Sequence, residues 1–213
     1  MSGTKSGFSQ PAIGGGPVPA RMGLLSARNF LEVRFGGTAE QGIIVMGLVL
    51  ATAATRDHRY VAQTQTHGLE ESGGPGHSDV IISDEPVDYP ELLGADLLVA
   101  LGQDSADSHA PMLRPEGVLV YDSKEVTRPP AFDGHSYAVP FARLAREVAG
   151  KGESSPALLA LGVAVAITGV VSAESLQKTL HELALPGTKE AMLKALTRGL
   201  ALDPGEWLRG PGC

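Results

Sequence analysis

The sequence predicts a three-layer α/β/α domain on a mostly parallel sheet, with C-terminal helices and an N-terminal arm that is disordered or bound by a partner. Three observations carry this. From Phe30 onward, short β-rich runs alternate with helical stretches, the pattern of strands joined by helical crossovers. The run ADLLVALG (95–102) is apolar without alternation, as in a strand covered on both faces. A hydrophobic content of 43% in 213 residues supplies the core of one α/β domain with extensions, or at most two small domains.

Taken in order, residues 1–28 form the arm: the first 25 hold six Gly and three Pro and almost no large apolar side chain. Arg21 and Arg28 are the groups that could pin it to a partner. The folded domain spans 29–202. FLEVRF (30–35) alternates as a strand, GGTAEQG (36–42) is a turn, and 43–54 is an all-round apolar helix. Strands follow at 59–66 and 79–83, joined by a Gly-rich loop at 67–76, and then at 95–102. A helix over 104–113 ends before Pro115 and Gly117, and strands follow at 118–122 and 136–140. After about Gly150 the chain reads as helical: 156–168, then 173–185 behind Ser172 as N-cap, then 189–200 behind Thr188. Residues 203–213 are a loop-like tail.

Composition and charge exclude several function classes. Aromatic residues are 5% with one Trp, too few for a base-stacking platform or a carbohydrate groove. The net charge of −7 argues against generic binding of nucleic acid or anionic membrane. The one cysteine, Cys213, allows neither an internal disulfide nor a four-cysteine iron–sulfur cluster. No apolar run reaches the roughly 20 residues of a membrane span, and no signal-peptide pattern opens the chain, so a cytoplasmic location is expected. The acids are unevenly placed. Residues 60–113 hold ten acids and no Lys or Arg, whereas 1–59 hold three acids and six bases and 114–213 eleven of each. These acids are either solvated turn residues and caps or a face that docks on a basic partner.

Two loops have the residues for chemistry. GGTAEQG leads a strand into a buried helix and aims backbone N–H groups at whatever lies beyond the strand, an environment suited to phosphate. It falls short of the dinucleotide pattern, because position 39 is Ala and no acid ends the next strand, which closes QTQT. THGLEESGGPGHSD (66–79) concentrates Gly with His67, Glu70, Glu71, Ser72, His77 and Ser78. It has neither the spacing of a metal site nor a nucleophile elbow. No catalytic or metal-ligating residue is therefore assigned.

In sequence and spacing these loops resemble the gamma subunit, or gamma domain, of the 2-oxoacid:acceptor oxidoreductases. GTAEQG (37–42) is similar to the family's G-x-G-G-Q-G, and THGLEESGGPGHSDVIIS (66–83) to its second glycine loop and following strand. ADLLVAL (95–101), RPEGVLVYDS (114–123) and LGVAVAITG (161–169) match further family blocks in order, so the resemblance covers about 30–200. Ala39 and Glu40 replace two glycines, Ser72 stands where many members have Arg, and Ala157 where Asn is frequent.

The resemblance implies a subunit without redox chemistry of its own. It would cap the active site of a complex that converts a 2-oxoacid and coenzyme A to an acyl-CoA. The residues it implies for coenzyme A are Gly37, Thr38, Gln41 and Gly42 of the first loop and Ser72, Gly73 and Gly74 of the second. Thiamine diphosphate and [4Fe-4S] clusters would belong to alpha, beta and ferredoxin-like delta-type subunits. Two other readings stay open: a free-standing nucleotide-binding α/β protein, and a purely structural assembly subunit.

Overall fold

The computed structural model describes residues 23–66, 75–150 and 155–209. Among them, seven strands form one sheet in the order β2-β3-β1-β4-β5-β6-β7. They are β1 (Phe30–Gly37), β2 (Tyr60–Thr66), β3 (Gly76–Ser83), β4 (Ala95–Ala100), β5 (Leu113–Asp122), β6 (His135–Val139) and β7 (Leu208–Arg209). β1, β4, β5 and β6 run parallel. β3 is antiparallel to β1 and β2, and β7 to β6, so five of these seven strands point one way. The expected mostly parallel sheet is present.

Among the described residues six α-helices cover it: α1 (Ile43–Arg56), α2 (Gln103–His109), α3 (Phe141–Ala149), α4 (Pro156–Thr168), α5 (Ala173–Leu183) and α6 (Lys189–Leu200). Alternation along the strands sorts them by face. Val33, Phe35, Leu97, Val99, Val118 and Val120 point into the main core with α1, α3, α4, α5 and α6. Leu98, Ala100, Leu119 and Tyr121 point the other way, into a smaller core with Ala106 of α2. α1 leaves β1 toward β2 on one face and α2 leaves β4 toward β5 on the other, so the topology switches between β1 and β4, where such folds place ligands. α4 packs between β4, β5 and α6, which is why almost every residue of PALLALGVAVAIT is buried.

Several local expectations need correction. The helix expected over 104–113 stops at His109; a single 3-10 turn, Ala110–Met112, leads straight into β5. Pro115 and Gly117 then lie inside the span of β5, tolerated because the pairing with β4 jumps from Ala95↔Leu113 to Leu97↔Val118 and the residues between bulge out. The stretch before Gly150 is helical too, as α3, with Phe141, Leu144 and Ala145 on its buried side. Ser172 caps α5 as expected, accepting from the Ser175 N–H at 3.1 Å, but Thr188 makes no side-chain cap on α6. The tail contains a 3-10 turn at Pro204–Glu206 and then β7. Of the arm, 1–22 lie outside the described residues. Leu24 and Leu25 donate N–H groups to the carbonyls of Ile167 and Thr168, and Leu25 is buried in the main core. Arg28, read as a hold on a partner, is held within the chain by Asp96 at 2.6 Å. Among the described residues no helix is long and apolar enough to cross a membrane.

Candidate functional site

β1 ends on two glycines because each is needed on a different face. A Cβ at Gly36 would lie 2.7 Å from Cδ2 of His109 on the α2 side, and one at Gly37 would lie 2.6 Å from Oε1 of Gln41 on the other. The turn beyond is braced by its own side chains. The Thr38 N–H donates to Gln41 Oε1 at 2.8 Å, the Gln41 N–H donates to the Thr38 carbonyl at 3.1 Å, and Gln41 Nε2 donates to the Leu101 carbonyl at 3.1 Å. Gln41 thus ties the turn to the end of β4, across the topological switch. Gly42 closes the turn in the left-handed region, φ 84°, where a Cβ would be strained and would meet Ala157 of α4 at 3.0 Å.

From Gly42 the chain enters α1 with no side-chain cap. The helical ladder starts with the Met46 N–H on the Gly42 carbonyl, which leaves the N–H groups of Ile43, Ile44 and Val45 ahead of it. The N-termini of α4 and α6 also lack side-chain caps. All three helix starts border one cavity of about 250 Å³, lined among others by Gln41, Gly42, Ser155, Ala157 and Thr188. Three positive dipole ends around one cavity favour an anion. Glu40 also lines it. Its own backbone N–H and the Thr38 hydroxyl hold its carboxyl below the usual carboxylate range, so its charge lies over the turn. Among the expected contacts, Gln41 and the Thr38 N–H serve the turn itself, and Gly42 with the α1 start faces the cavity. Ser72, Gly73 and Gly74 lie outside the described residues.

A polar cluster that neither glycine loop announces lies on the α2 face. Arg34 of β1 makes a two-pronged ion pair with Asp79 of β3 at 2.7 and 2.6 Å, both buried, so Asp79 is not a surface acid. Asp96, also buried, pairs with Arg28 and Arg114. His109 Nδ1 lies 3.5 Å from Arg34, its ring is edge-on to His77 at 5.4 Å, and its Nε2 is buried without a hydrogen-bond partner among the described residues. Burial, then the Arg34 guanidinium, lower His109 to about 4, and the same two causes lower His77. The His109 ring is therefore neutral near pH 7. The signal that could have revealed this cluster is the pair Glu32 and Arg34, charged residues on one face of a buried strand. Among the described residues no group of His, Cys, Asp and Glu could hold a metal ion.

Known proteins share both the sequence pattern and this architecture. Residues 32–202 match the family model described as pyruvate ferredoxin/flavodoxin oxidoreductase. The chain is 36% identical over 171 residues to the 2-oxoglutarate synthase subunit KorC of Methanocaldococcus jannaschii, covering 79% of this chain and 91% of that one. It superposes on the keto/oxoacid ferredoxin oxidoreductase gamma subunit of Geobacter sulfurreducens with a TM-score of 0.76 and 33% identity, over 85% of this chain and all (100%) of that one. The 2-oxoglutarate:ferredoxin oxidoreductase of Magnetococcus marinus, solved with 2-oxoglutarate, coenzyme A and succinyl-CoA, shares the fold at a TM-score of 0.67 and 22% identity, over 83% of this chain and 32% of that one.

Proposed function

The chain belongs to the pyruvate ferredoxin/flavodoxin oxidoreductase family as a gamma-type subunit of a 2-oxoacid oxidoreductase, and from that premise we propose that it caps the active site of its complex and binds the phosphates of coenzyme A. The complex takes a 2-oxoacid and coenzyme A to an acyl-CoA. Thiamine diphosphate, which supplies the carbanion chemistry, and the [4Fe-4S] clusters, which carry the electrons, fall to alpha, beta and ferredoxin-like delta-type subunits in the cytoplasm. This chain's part is binding and exclusion of water.

The observation that carries this reading is the cavity where the uncapped starts of α1, α4 and α6 meet at Gly42. Backbone N–H groups at the α1 start hold a phosphate without any Lys or Arg in the turn. Gly37, Thr38 and Gln41 fix the shape of the turn, Gly42 lets the backbone approach, and Ser72, Gly73 and Gly74 belong to the same proposed site. Glu40 opposes the ligand's charge. In the reconstituted complex, Glu40→Gln lowers the KM for coenzyme A severalfold and leaves the KM for the 2-oxoacid unchanged. Equal KM values for coenzyme A in both proteins would leave the turn a structural brace. One observation favours that second reading, a purely structural subunit: the side chain of Gln41 and the Thr38 amide are already used within the turn.

A further inference from the structure

At the end of the sheet opposite Gly42, the loop 84–94 joins β3 to β4. It is held rigidly. The Asp84 N–H donates to the Asn29 carbonyl at 2.9 Å, the Glu85 N–H to Ser83 Oγ at 3.0 Å, and the Leu93 N–H to Glu32 Oε1 at 2.6 Å. Pro86 and Pro90 stiffen it, and Leu92 is buried beneath it. Yet this braced loop presents Tyr89 at 54% and Leu93 at 76% exposure, the latter the highest among the exposed large apolar residues described. Phe30 and Tyr60, also exposed, both pair in register with Ser83 and so share its face of the sheet beside the loop. Four large apolar side chains are therefore held in water around one rigid loop, the arrangement of an interface centre rather than of a mobile turn.

The charge around them specifies the occupant. Glu85, Asp88 and Glu91 are exposed and make no ion pair among the described residues, and Glu91 accepts only from the neighbouring Tyr89 hydroxyl at 2.5 Å. The nearby cations are already engaged: Arg59 with Asp84, and Arg114 with Glu32 and Asp96. No Lys or Arg occurs anywhere in 60–113. A second copy of the chain would bring acid against acid, as would nucleic acid or an anionic membrane. We propose that Phe30, Tyr60, Tyr89 and Leu93 with the acidic rim of loop 84–94 form the surface on which another subunit docks, one with an apolar centre rimmed by Lys and Arg. This rests on the reading of the chain as part of a multisubunit oxidoreductase. Docking here leaves the Gly42 cavity, at the other end of the sheet, open to ligand.

The test uses the full chain co-expressed with its partner subunits, with assembly followed by sedimentation at low and high salt. Tyr89→Ala with Leu93→Ser weakens assembly by about tenfold or more at every salt concentration, as loss of anchor residues does. Glu85→Lys, Asp88→Lys and Glu91→Lys together weaken it at low salt and converge on wild type above about 0.5 M, where exposed charges are screened. Leu185→Ser, an exposed apolar position elsewhere, changes nothing. Loop variants that keep the wild-type melting temperature and assemble like wild type overturn the proposal alone. A wild-type chain that dimerises through Leu93 also overturns it, in favour of a second copy. A wild-type chain that joins no complex overturns the functional reading and this proposal together.

Discussion

Gly42 is constrained twice, by a left-handed backbone and by the Ala157 methyl 3.0 Å from where its Cβ would be. Gly42→Ala should therefore cost about 1–2 kcal/mol from the backbone strain alone, with more added by the contact. Gly187→Ala, at a position with nothing within 4 Å, should change stability little. Urea unfolding of both variants makes the comparison, and equal midpoints would mean that the α1 entry relaxes freely. His109 gives a second prediction at this scale. Its folded pKa of about 4 lies below the ordinary value of 6.5. Between those values the unfolded chain binds a proton that the folded chain does not, so stability rises with pH across the window and is lost as pH falls from 6.5 toward 4. Folded His77 is lowered by the same causes and adds in the same direction. Stability of the wild type should fall over this window more steeply than that of His109→Gln, as read by denaturant titrations at several pH values.

The helices show what packing adds to local pattern. α4 and α6 cross at a glycine on each: a Cβ at Gly199 would lie 2.2 Å from the Leu159 carbonyl oxygen, and one at Gly162 would lie 2.4 Å from that of Leu196. Backbone meets backbone there, and neither carbonyl can swing away without breaking its helix. Gly199→Ala gains about 1 kcal/mol of helix propensity but forces the helices apart, a cost of about 1–3 kcal/mol or more. The expected net result is a lower melting temperature, and a rise would show that the seam has slack. The bounds of these helices were legible in the sequence, because Pro156, Gly169 and the Pro186-Gly187 break punctuate them. α3 was not, since Pro140 at its start reads as the end of a strand and its buried Phe141, Leu144 and Ala145 occupy barely two turns. β7 is two residues long and exists only by pairing with Ser136 and Tyr137 of β6. The bulge that admits Pro115 depends on β4, far away in sequence. At the site, the turn and its glycines were legible. The roles of Gln41 and His109 were not, because their partners Leu101 and Arg34 lie 60 and 75 residues away.

As a whole, the molecule is a gamma-type member of its family, and the proposed reading leaves the redox groups to partner subunits. Its single cysteine, Cys213, cannot ligate a four-cysteine cluster, and no GDG sequence opens a thiamine-diphosphate site. Its polar cluster pairs Arg34 with Asp79 and leaves His109 Nε2 buried without a partner among the described residues, its helix-start cavity suits an anion, and its opposite end presents four apolar side chains within an acidic rim. On the proposed reading, the cavity and the apolar end are each covered only in the complex. Purified alone, the chain should therefore fold, show no visible iron–sulfur absorbance and oxidise no 2-oxoacid in the presence of coenzyme A and an electron acceptor. Activity and colour should appear together when the partner subunits are added, in proportion to the complex recovered by sedimentation. The decisive arm is the isolated chain. A colourless preparation that turned over 2-oxoacid unaided would require a reactive group that none of these surfaces supplies, and would undo the subunit reading from its base.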